Sequence, residues 1–234
     1  MNKIIVTDPH LVMSIVGPSG CGKTKLLCEI LKNRDNIFRP DFDSIIFFYL
    51  HWQPIYEEIL LSDPNILFKN TVNWEEINAS TGKKRTLLIF DDMYVSVCQT
   101  DEFLNLIISG RHKNLHVIWL KHNLYQKNNN AKTIDVNTTH MLLLQNPRDL
   151  MQIDCLGRQL GCRNLLLSAY KRATQDPFGH LLIDLDPRCH KYLRFASEIT
   201  SSFATFHLPS SVGNVIDVEE SFTESEYFKC AYRL

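Results

Sequence analysis

Residues 11–33 read LVMSIV, GPSGCGKT, KLLCEILKN in unbroken succession. The apolar run 11–16 stops at Gly17, as a buried strand does when it enters a turn. From 22 to 33, Leu26, Leu27, Ile30 and Leu31 fall on one helical stripe. Between the two, residues 17–24 satisfy G-x-x-x-x-G-K-[ST]. Composition alone would produce such a match in roughly 1 in 100 chains of this length. The flanking strand and amphipathic helix are the two conditions the motif needs in order to work. Gly17, Gly20 and Gly22, with Pro18, Ser19 and Cys21 between them, let the backbone wrap an anion without Cβ clashes and aim N–H groups inward. The positive end of the following helix faces the same anion. Lys23 would carry a point charge to the β- and γ-phosphates of ATP, and Thr24 would offer its hydroxyl to Mg2+.

Downstream, strands alternate with helical stretches. SIIFFYL (44–50), NILFKN (65–70), TLLIF (86–90), LHVIWL (115–120), HMLLL (140–144) and GHLLIDL (179–185) read as strands. Their continuous apolar character fits a sheet covered on both faces. Residues 22–33, 53–61, 101–109, 148–160 and 164–174 read as helices, 74–78 as a helical turn and 128–132 as a polar loop. The alternation predicts an α/β fold, a mostly parallel sheet with helices on both faces. The expected organisation is one domain over 1–199 and a Ser-rich, then acidic tail over 200–234 that orders in part, or against a partner.

TLLIFDD (86–92) is an apolar strand ending in two acids. Asp91 is expected to hold magnesium through water, since that cation takes oxygen ligands. Asp92 is expected to act as general base or to orient the attacking water. After the strand 115–120 come Lys121, His122 and Asn123, and a polar side chain there, His122 or Asn123, is a candidate sensor of the γ-phosphate.

The 234 residues carry a formal net charge of −1, which excludes a globally basic surface. A local asymmetry stands out instead. Residues 110–132 hold Arg111, Lys113, Lys121, Lys127 and Lys132, with His112, His116 and His122, and no acid. Such a segment suits DNA or the γ-phosphate on a neighbouring subunit. Arg111 is the first choice for an arginine finger, and Arg148 and Arg158 are alternatives. Seven cysteines without a CxxC pair point to reduced thiols in an intracellular compartment. No run approaches the roughly 18 apolar residues of a membrane span, so no membrane partner is expected.

GPSGCGKT, LLIFDDM, GRHKNLHVIWLKHNLYQ, LLLQNPRD, QIDCLGRQL and GHLLIDL, in that order, resemble the poxvirus-type genome-packaging ATPases of the FtsK–HerA superfamily, found in large DNA viruses and Polinton-like elements. The resemblance covers about residues 10–190. It implies a RecA-like ATPase fold and a motor that moves double-stranded DNA into a capsid. It also implies a ring of five or six subunits, a capsid or portal partner, and action inside the infected host cell. Two positions depart from the family pattern. His122 stands where the family places glutamine, and Ser109 stands where an arginine precedes the glycine aligned with Gly110. Two other readings share the P-loop: a small nucleotide kinase, and a nucleotide-binding scaffold without turnover.

Overall fold

The computed structural model describes residues 10–79, 82, 84–127, 129–148, 150–190 and 192–209. Six strands run parallel: β1 (Val12–Val16), β2 (Ser44–Tyr49), β3 (Leu67–Lys69), β4 (Thr86–Asp91), β5 (Leu115–Lys121) and β6 (His140–Leu144). Three more, β7 (His180–Asp184), β8 (Phe195–Ser197) and β9 (Thr205–Phe206), add on antiparallel. The sheet order is β3-β2-β4-β5-β1-β6-β7-β8-β9. Every residue of β1, β4, β5 and β6 is buried, which is why these strands read as largely apolar runs rather than alternating ones.

Helices α1 (Lys23–Lys32), α2 (Arg34–Ile37) and α3 (Ile55–Ser62) cover one face. Leu27 and Ile30 of α1 and Ile59 of α3 pack there on Met13, Ile15, Leu87 and Ile89. The other face carries α4 (Trp74–Ala79), α5 (Tyr94–Val97), α6 (Asp101–Ser109), α7 (Ala131–Asn137), α8 (Leu150–Gln159) and α9 (Arg163–Ala173). Helix α6 shows how local chemistry sets these boundaries. Thr100 accepts the Phe103 N–H at 3.2 Å and so caps the helix, with Asp101 and Glu102 in its first turn. A 3-10 turn, Gly110–Lys113, then leads into β5.

Four sequence expectations change. The loop expected over 128–132 gives way to helix at its end: Ala131 and Lys132 begin α7, and Ile134 is the apolar anchor that buries its face. The sheet continues beyond 179–185 through β8 and β9, too short to show a periodic signal. The boundary expected at 199 falls inside this extension, because β9 pairs with β8 and the His207 N–H bonds the Phe195 carbonyl at 2.9 Å. The acidic stretch 217–226 lies outside the described residues, as does Asp149 of NPRD. Lastly, Lys121 does not belong to a basic surface. It is 1% exposed and donates to Asp135 at 2.9 Å and to the Leu124 carbonyl at 2.8 Å. His116 is likewise buried. Among the described residues, no helix is long and apolar enough to cross a membrane.

Candidate nucleotide site

The parallel strands β4, β5, β1 and β6 end along one edge, the usual binding edge of an α/β sheet. The turn after β1 is tied down by the Gly17 N–H, which donates to the Lys121 carbonyl at 3.1 Å. Gly20 and Gly22 have φ of +78° and +95°, the left-handed region that side chains disfavour. Gly22 heads α1, whose first turn has neither a side-chain cap nor an acid. Its leading N–H groups are therefore available to an anion.

Lys23 is 7% exposed. Its ammonium donates to the carbonyls of Gly17 (2.9 Å) and Pro18 (3.0 Å) and lies 3.4 Å from His122 Nδ1. An ammonium has only protons to give, so Nδ1 accepts and the neutral ring carries its proton on Nε2. That Nε2 faces Asp92 Oδ1 at 3.7 Å. Burial and Lys23 both hold the His122 pKa below its ordinary value, against the pull of Asp92.

Asp91 ends β4 and is 1% exposed. Its Oδ2 accepts the hydroxyls of Thr24 and Tyr56, each at 3.0 Å. Its Oδ1 is buried with no hydrogen-bond partner among the described residues. Burial and the neighbouring Asp92 push the pKa of Asp91 up to about 6, opposed by the two hydroxyls and Lys23. An unmatched carboxylate oxygen beside a threonine hydroxyl is the donor set a hard cation takes, so Thr24 and Asp91 fit Mg2+. Asp92 follows with φ +57°, a conformation short acids tolerate. Its side chain is 42% exposed, and Oδ2 accepts Gln53 Nε2 at 3.3 Å.

The fold thus gathers Lys23, Thr24, Asp91, Asp92 and His122 in one mouth. Asn123 is exposed beside His122. Arg111 is not in this mouth. It precedes β5, whose seven residues separate it from His122 by about 20 Å at the usual strand rise. Arg148 follows β6 on the site edge and is exposed, while Arg158 pairs with Asp154 at 2.8 Å. Sequence reasoning missed Tyr56 and Gln53. Both lie just past β2, which pairs with β4 so that Tyr49 stands opposite Asp91. An aromatic cluster holds the Tyr56 ring, with Phe47 at 5.0 Å and Trp52 at 5.5 Å. Without knowing that β2 and β4 are neighbours, nothing in QPIYEEILL marks that hydroxyl.

Residues 1–119, about half of the chain, match the NB-ARC domain family. The genome packaging NTPase B204 from Sulfolobus turreted icosahedral virus 2, solved with AMPPCP, superposes with a TM-score of 0.51 at 16% identity, covering 86% of this chain and 99% of that one. The DNA-packaging ATPase B204 from Sulfolobus turreted icosahedral virus gives 0.49 at 15% identity, covering 89% and 99%. EssC ATPases 2 and 3 from Geobacillus thermodenitrificans give 0.40 at 11% identity, covering 58% and 32%. At these identities the likeness is one of fold. No curated protein matches the sequence.

Proposed function

This chain belongs to the NB-ARC domain family of P-loop NTPases, and on that premise we propose that it is a magnesium-dependent ATPase, one subunit of a homo-oligomeric ring that drives double-stranded DNA into a viral capsid inside the infected cell. The observation that carries the hydrolytic part is the mouth in which Lys23, the Thr24–Asp91 pair and the half-exposed Asp92 converge. The Gly17–Thr24 turn and the head of α1 bind the β- and γ-phosphates, with Lys23 as the fixed charge. Thr24 through its hydroxyl and Asp91 through water would hold Mg2+, which when bound would supply positive charge against the phosphates. Asp92, at the open side, accepts the proton of the attacking water or orients it. Neutral His122 presents its Nε2–H toward the same space, where it donates to the γ-phosphate or to Asp92.

The translocating part is supported by the order of the motifs from GPSGCGKT to GHLLIDL and by the fold shared with the virus 2 packaging NTPase. The placement of Arg111 away from its own cradle suits a finger supplied to a neighbour. The test is steady-state ATP hydrolysis with and without linear duplex DNA, on wild type and Asp92→Asn. We expect duplex to stimulate the wild type, and Asp92→Asn to bind ATP normally while losing turnover at least about a hundredfold. Turnover indifferent to duplex would remove the motor and leave the ATPase. Wild-type turnover in Asp92→Asn would remove the base assignment.

A further inference from the structure

Phe178 stands in the tight turn between α9 and β7. It is 52% exposed, and its φ of +66° lies in a region bulky side chains avoid. The turn is held firmly. Gly179 N–H bonds the Asp176 carbonyl at 3.0 Å, and Thr174 Oγ1 bonds the Tyr170 carbonyl at 2.8 Å. A side chain on Gly179 would collide with the Ala173 carbonyl oxygen. The ring lies against the phosphate cradle itself, since a Cβ on Gly22 would sit 2.5 Å from Phe178 Cδ1. The Lys25 ammonium lies 4.6 Å from the ring centroid. The ring thus packs on Gly22 and Lys25 and leaves about half of its surface open beside the cradle, in a strained backbone conformation of the kind that clusters at ligand sites.

The sheet order says which part of the ligand. Asp91 and His122 end strands β4 and β5, on one side of β1. The metal and the γ-phosphate belong on that side, so the nucleoside leaves the cradle on the other, over β6 and β7. Because β7 is antiparallel to β6, with His180 opposite Leu144, the loop before it opens on the same edge as the cradle. Resting on the P-loop reading above, we propose that Phe178 is the platform on which the nucleobase of the bound triphosphate stacks. Stacking on an aromatic face tolerates any base, so the site should take nucleoside triphosphates with little discrimination between bases.

The test compares binding of Mg·ATPγS and of magnesium tripolyphosphate, which has no base, by calorimetry. Phe178→Ala should weaken ATPγS about tenfold, the loss expected for one base–aromatic stack, and leave tripolyphosphate unchanged. Phe178→Trp should keep ATPγS affinity. An equal loss for both ligands would make Phe178 a prop for the cradle, and an unaltered ATPγS affinity would make it a bystander; either overturns the proposal. If the wild type binds neither ligand, the P-loop reading itself fails and takes the platform with it.

Discussion

A single buried carboxylate sets the energetics of the site. Asp91 has an ordinary pKa of 3.8 and is pushed up to about 6 by burial beside Asp92. The unfolded chain therefore releases this proton near pH 4 and the folded chain near pH 6. Across that window the folded state binds more protons, so stability falls as pH rises, by about 3 kcal/mol, and the cost persists at neutral pH. Asp91→Asn should then raise the stability of the nucleotide-free protein at pH 7.5 by about 2 kcal/mol in urea denaturation. The same variant should lose the extra stability that Mg·ATP confers. A less stable apo variant would show that the charge is held by its two hydroxyl donors more strongly than burial opposes it. The acids at 91 and 92 were readable from LLIFDD because an apolar strand closing on acids is a local pattern. Tyr56 was not, because its hydroxyl reaches Asp91 across 35 positions of sequence.

At the level of the element, β5 carries a second buried titratable group. His116 Nδ1 accepts the Leu11 N–H at 2.9 Å, linking the approach to β1 with β5. Burial, then Arg85 and His10, push its pKa down to about 3. Below about pH 6.5 the unfolded chain takes up a proton that the fold refuses, so this contribution is lost as pH falls, on the order of 1.4 kcal/mol per pH unit. His116→Asn should be less stable than wild type at pH 7.5, yet its stability should decline less steeply between pH 6.5 and 5. Urea midpoints measured across that range decide it, and parallel curves would acquit His116. Strands β1, β4, β5 and β6 were legible because burial on both faces makes them mostly apolar, with polar residues few among them. Lys121 misled for the opposite reason. A lysine in sequence gives no sign that Asp135, fourteen residues on, will meet it inside the protein.

For the whole molecule, the separation of Arg111 from the cradle is the feature with consequences. Within one chain β5 keeps them about 20 Å apart, so Arg111 can reach a γ-phosphate only on a neighbour. Lys23→Ala and Arg111→Ala should each be inactive alone, the first unable to bind ATP and the second bound but slow by about a thousandfold. Mixed together they should regain turnover, because an Arg111→Ala subunit keeps an intact cradle and a Lys23→Ala neighbour keeps the finger. A mixture as inactive as its components would exclude Arg111 as a finger in trans and turn attention to Arg148, which lies exposed on the site edge.

By itself the sequence determined the glycine-rich turn, the acid pair and the α/β alternation. Each is carried by neighbours along the chain: a glycine spacing, an apolar run, a helical stripe. Strand order belongs to tertiary structure alone, since it is settled by which apolar faces find one another when the sheet closes. That order puts Tyr56 on Asp91, His122 between Lys23 and Asp92, and Arg111 at the far end. The reversal of β7 then returns Phe178 to the cradle, more than 150 residues after Gly22 left it.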